Sequence, residues 1–311
     1  MRRFLFENTR CSSVRRRVLD TEAGGARAEG STELDREAWL RLQLGGEAAS
    51  IVPEAAPVTK AQITAKLQEL GVEEGGLLLL HASLSALGWV CGGEYALLQG
   101  VLEALGPEGT VIVATQSSYN SDPSQWQAPA VPKTWWPVIR AEMPAFDPAR
   151  SPSRGMGRVA ELLRSWPGAF RSSHPAVSFA GLGPMAEELL SEHPLDHPLG
   201  EDSPLARLYQ EDADLLLLGC GYESCTAFHL AEHRAGIREI ERAQAAVLID
   251  GQRRWVAYEQ IDYDSSIFPE LGAAFESASA LAQGQLGQAE LKLFAMRAAV
   301  DFASDHFRQR C

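Results

Sequence analysis

Between residues 58 and 72 the apolar side chains of Ile63, Leu67 and Leu70 recur at three- and four-residue intervals, the spacing of one helical face, with Thr59 as cap and Gly71 as stop. The period then changes. "GGLLLLHAS" is a short continuous apolar run of the sort a strand buried on both faces requires, "GGEYALLQGVLEALG" returns to a helical stripe of Leu97, Leu98, Val101, Leu102 and Leu105, and "TVIVAT" is a second buried strand. Further on, "MGRVAELLRSW", "GPMAEELLS" and "SPLARLYQ" predict helices, "AVSFAG" and "DLLLLG" strands, and another helix carries "HLAEH". "AAVLIDGQRRWVAYEQ" predicts an antiparallel hairpin turning at Asp250 and Gly251, and "ELKLFAMRAAVDFASDHF" a closing amphipathic helix. The fold class expected is α/β: a central mixed, largely parallel sheet flanked by helices, with an added antiparallel hairpin.

Two stretches break the periodicity. Residues 1–56 show only a possible short helix at "TELDREAWLRLQL" behind the linker-like "EAGGARAEGS", so they are expected to form a flexible or loosely docked extension before a single domain spanning 57–311. Residues 116–153 are rich in Pro, Ser and Asp, yet Trp126, Trp135 and Trp136 predict an ordered loop, expected to wall a substrate cleft.

Composition narrows the partners. A net charge of -13 argues against nucleic acid and suits a cationic ligand, although residues 1–20 run to +4 with six arginines against Glu7 and Asp20. No apolar run approaches the ~20 residues that cross a bilayer, so no membrane association is expected. Five scattered cysteines without an apolar signal segment predict a reducing cytoplasm, and oligomeric state, monomer or homodimer, is left open.

Several residues could carry chemistry. His229, Glu232 and His233 reproduce the H-x-x-E-H spacing of some zinc hydrolases, though a third protein ligand would have to come from His193 or His197. Cys220 and Cys225 lie between a strand and a helix, where a thiol could be activated or simply packed. Gly92 and Gly93 open a helix and could expose its amides to a phosphate, or form only a tight turn. His174, held extended by Pro175 at a loop edge, is a candidate general base with Glu232 as its carboxylate partner.

The ordered set "LLLLHASLSALGWVCGG", "SDPSQWQAPAVPKTWWP", "DPARSPSRGMGRVAE", "RSSHPAVSFAGLG", "GEDSPLARL" and "LLLLGCGYESCTAFHLAE" resembles the aminoglycoside 3-N-acetyltransferase family over roughly residues 57–265. The resemblance implies direct transfer of acetyl from acetyl-coenzyme A to the 3-amino group of a 2-deoxystreptamine aminoglycoside, conferring antibiotic resistance, with no metal and no acyl-enzyme. It implies His174 as base and Glu232 as its partner. It also implies a coenzyme site with Ser83, Ser85, Gly92 and Gly93 on one wall and Ser151, Ser153, Met156 and Gly157 on the other. Asp122, Asp147 and His229 are expected to face the cationic antibiotic, and His233 to be a bystander. A relative acting on a different amine is the alternative within the same fold.

Overall fold

The computed structural model describes residues 50–310 apart from 53, 54, 118 and 128, so the helix expected at 32–44 and most of the 1–56 extension lie outside the described residues. Helix α1 (Lys60–Leu70) starts where Thr59 accepts from the Gln62 amide while the Gln62 side chain accepts from the Thr59 amide. It ends at Gly71, whose φ of 108° only glycine adopts at little cost. Its apolar face packs on helix α2 (Gly93–Leu105), as the two heptad-like stripes predict.

Strand β1 (Leu77–Ala82) lies at the middle of a seven-stranded sheet, between β2 (Thr110–Ala114) and β5 (Asp214–Leu218), and all three run parallel. Burial on both faces explains the unbroken leucines: Leu78 and Leu80 enter one core, Leu79 the other. Antiparallel strands extend the sheet on each side, β3 (Phe170–Arg171) and β4 (Phe179–Leu182) beyond β2, and β9 (Ala289–Ala295) and β8 (Ala282–Leu286) beyond β5. One face is covered by α1, α2 and α4 (Gly157–Arg164); the other carries α6 (Pro204–Gln210), α7 (Ala227–Ala235), α8 (Phe268–Ala278) and α9 (Met296–Arg310). The short helices α3 (Trp136–Glu142) and α5 (Ala186–Leu190) complete the set among the described residues.

The hairpin forms a two-stranded sheet of its own, β6 (Ile240–Ile249) with β7 (Gln252–Ile261), turning on Asp250 and Gly251 at φ 50° and 71°. The expected closing helix begins later than its pattern suggested. Residues 289–295 form edge-side strand β9, with Ala289, Leu291 and Leu293 buried at strand period and paired in register to β5 and β8, and the helix starts only at Met296.

Candidate active site

The parallel centre of the sheet sets where a ligand can bind, because the loops leaving β1, β2 and β5 all emerge at one end. There they enclose a cleft of about 1190 Å³, lined from β1 by His81, Ser83 and Ser85, from β2 by Ala114 and Gln116, and from the β5 loop by Gly219, Cys220 and residues 223–226. Two helices point their amino termini into it from facing segments. Helix α2 begins behind Gly92 and Gly93, both at positive φ, and α4 begins at Gly157 behind Gly155 and Met156. Glu94 of α2 and Arg158 of α4 pair at 2.9 Å across this opening. Unpaired amides and the partial positive charge of two helix ends make this wall suited to an anionic, phosphorylated group.

Six of the eight residues expected at the coenzyme, Ser83, Ser85, Gly92, Gly93, Met156 and Gly157, line the cleft. Ser151 and Ser153 do not. The Ser151 hydroxyl accepts from the Asp147 amide at 3.0 Å, and the Ser153 hydroxyl donates to Glu161 at 2.7 Å, so both brace their own loop. The acidic residues expected at the substrate are withdrawn for the same reason. Asp122 is buried under a bidentate pair with Arg140, both bonds 2.8 Å, and Asp147 is held by Arg150 and the Ala149 amide. Burial pushes the Asp122 carboxyl up, but the Arg140 and Ser124 bonds outweigh it and hold it below the usual carboxylate range. Of the long loop, Gln116 reaches the cleft, while the segment around Met143 and Phe146 docks on the hairpin through the Phe146 amide to Ala246 O (2.9 Å) and Arg253 to Met143 O (2.6 Å).

His174, the expected general base, does not line the cleft. His174 is fully buried away from the cleft-lining set; its Nδ1 accepts from the amides of Ala176 (3.2 Å) and Val177 (3.1 Å), and its Nε2 donates to Leu195 O at 3.3 Å. Burial first, and neighbouring His193 second, push this imidazole well below its ordinary pKa. Nor does it meet Glu232. One Glu232 oxygen takes His229 Nδ1 at 2.7 Å, and the other takes Arg238 Nε at 2.6 Å. His229 and Glu232 stand three residues apart on α7, adjacent on one helical face, and His229 lines the cleft. With Nδ1–H directed to the carboxylate, Nε2 is left as the basic nitrogen, the arrangement a general base needs.

The remaining candidates resolve simply. Burial pushes the Cys220 and Cys225 thiols up to about 12, so neither supplies a thiolate at neutral pH. Among the described residues no three His, Cys, Asp or Glu side chains converge as metal ligands, and His233 Nε2 instead meets the Tyr263 hydroxyl at 3.0 Å. Sequence reasoning passed over His81, Glu223, Arg238 and Tyr263. Of these, His81 carried a visible signal, a polar residue inside the leucine run; burial lowers its pKa to about 4, and its Nε2 has no partner among the described residues.

The sequence pattern of the Aminoglycoside 3-N-acetyltransferase family matches residues 79–308. The chain belongs to that family. It is 41% identical over 252 residues to the SPbeta prophage-derived aminoglycoside N(3')-acetyltransferase-like protein YokD of Bacillus subtilis, covering 81% of this chain and 93% of that one. The crystal structure of YokD superposes with a TM-score of 0.82, over 84% of this chain and 97% of the other at 40% identity. Aminoglycoside N(3)-acetyltransferase IX of Micromonospora chalcea is 36% identical over 266 residues, 79% of this chain and 92% of its own. The structure of AAC-IIIb in a binary complex with CoASH superposes with a TM-score of 0.74 at 29% identity, covering 82% of this chain and 98% of that one. As a member of this family the protein is an acetyl-transferring enzyme, and the helix-lined wall of its cleft matches the charge of a coenzyme bearing several phosphates.

Proposed function

We propose that the protein transfers acetyl from acetyl-coenzyme A to the 3-amino group of a 2-deoxystreptamine aminoglycoside, with His229 as general base and Glu232 as the carboxylate that orients it. The observation that carries this reading is the His229 Nδ1 to Glu232 Oε2 bond of 2.7 Å on the wall of the cleft. The helix starts at Gly92 and Gly157 would hold the phosphates of the coenzyme, and its thioester supplies the activated acetyl group. As the amine nitrogen bonds to the thioester carbon, His229 Nε2 accepts its proton; the carbon–sulfur bond then breaks, and the proton passes to the departing thiolate. Direct transfer between two bound substrates agrees with thiols whose pKa burial raises to about 12. Such an enzyme works where acetyl-coenzyme A is made, in the cytoplasm.

Free-thiol release measured with acetyl-coenzyme A and several aminoglycosides tests the reading. Product acetylated at the 3-amino group supports it, and no thiol release across the panel overturns it. One observation favours a smaller amine as acceptor. With Asp122 and Asp147 held by arginines, the carboxylates lining the cleft among the described residues are Glu94, itself paired to Arg158, and Glu223, fewer than a polycation invites. The panel should therefore include mono- and diamines.

The displaced histidine gives a sharp contrast. His174→Ala is expected to cost on the order of 2 kcal/mol of stability, because two half-buried amides and a carbonyl lose their partner. The folded fraction should still turn over at nearly the wild-type rate. Denaturant unfolding and kcat per folded molecule measure the two separately, and a loss of kcat in fully folded protein would return the base role to His174.

A further inference from the structure

His233 has no part in the proton transfer described above, yet it is tied to the base at one remove. Its Nε2 lies 3.0 Å from the hydroxyl of Tyr263, a residue delivered by the segment after β7. The Tyr263 ring meets the His229 imidazole edge-on at 5.0 Å and 66°, while Phe268 meets the same imidazole at 4.9 Å and 55°. Glu232 holds His229 at Nδ1. The two rings packed on the imidazole brace its plane, and with it the direction in which Nε2 points.

The clamp is built from both sides. Residues 229 and 233 are one helical turn apart on α7, and Tyr263 spans them. His233 is backed by the His197 ring at 5.8 Å and by Gly200, where a Cβ would come within 3.2 Å of its Nδ1. The next residue along, Asp264, accepts from Arg238 through its carbonyl at 3.1 Å, and the same guanidinium holds Glu232. The segment that carries the tyrosine is thus fastened to the His229 and Glu232 pair at two points. Burial keeps His233 neutral, lowering its pKa to about 4, and raises that of Tyr263, so a protonated hydroxyl faces a neutral imidazole.

We propose that His233 is a positioning residue: through the Tyr263 hydroxyl it fixes the tyrosine ring against His229 and so sets the direction of the base. The proposal rests on His229 being the base, and is tested with the full chain as His233→Ala, His233→Gln, Tyr263→Phe and the double variant His233→Ala with Tyr263→Phe. Each of His233→Ala and Tyr263→Phe is expected to lower kcat about 10-fold to 100-fold, as small misplacements of a catalytic group do, with KM for acetyl-coenzyme A unchanged. The double variant should be no slower than either single one, and His233→Gln, whose amide oxygen can accept from the tyrosine, should recover most of the rate. Unchanged kcat in folded His233→Ala, multiplying effects in the double variant, or a glutamine variant as slow as alanine would each overturn it. Nuclear magnetic resonance of the His229 imidazole provides a readout independent of turnover. Its signals, assigned by their loss in His229→Ala, should move in His233→Ala and return in His233→Gln; unmoved signals sink the positioning role even where no acceptor amine is turned over.

Discussion

His229→Ala is expected to lower kcat for acetyl transfer by about 10²-fold to 10⁴-fold, the range a positioned general base contributes, with a folded protein and little change in KM for acetyl-coenzyme A. An amine must lose a proton as it adds to a thioester, and the imidazole that lines the cleft with a carboxylate behind it is placed to take it. Alanine leaves the Glu232 carboxylate buried without its histidine but still bonded to Arg238, so α7 keeps one of its two internal anchors. Glu232→Gln should also lower the rate and is informative in kind. The amide preserves shape, yet its NH₂ can face His229 Nδ1 and favour the tautomer whose Nε2 carries the proton, leaving no lone pair for the substrate. Steady-state kinetics on purified variants, with circular dichroism to confirm folding, decide the matter. Retention of most turnover in His229→Ala would remove the base from this site altogether.

How far the chain could be read in advance differs from element to element, for physical reasons. Buried strands and capped helices were legible because their signals are local: the leucines of β1 and β5, the Thr59 and Gln62 capping pair and the Asp250–Gly251 turn each lie within a few residues. Strand β9 was not, since "AELKLFA" runs straight into a helix and its identity is set by pairing with β5, more than 70 residues away in sequence. The site divides along the same line. Glycines at helix starts and the His229–Glu232 spacing are local and reached the cleft wall, whereas the fates of Asp122 and His174 depended on Arg140 and the Leu195 carbonyl as partners, which no spacing rule selects. The proposed base and its carboxylate lie within one short motif, because residues three apart on a helix are neighbours while a distant histidine needs the whole fold to bring it near.

Acidification between pH 6.5 and 4 is expected to cost several kcal/mol of stability, enough to unfold much of the protein at ambient temperature. The cause is a set of histidines that the fold keeps neutral. Burial lowers His81 and His193 to about 4 and pushes His174 well below its ordinary value, while in the unfolded chain each titrates near 6.5. Above pH 6.5 both states hold them neutral and stability is complete. As pH falls through the window, the unfolded chain binds protons that the folded one refuses, so unfolding gains about 1.4 kcal/mol per pH unit for each such histidine. Half-buried His233, also lowered to about 4, adds in the same direction. Glu161 acts lower. Burial raises its carboxyl, but its bonds to Arg164 and Ser153 prevail and bring it to about 2, so its contribution fades as pH falls from the ordinary carboxylate value of 4.5 toward 2. Urea unfolding at half-unit steps from pH 7.5 to 4 should therefore show a slope of roughly three protons between pH 6 and 4.5. In His193→Gln, which cannot titrate, the slope should drop by about one proton, and a flat profile down to pH 5 in the wild type would refute the neutral-histidine account.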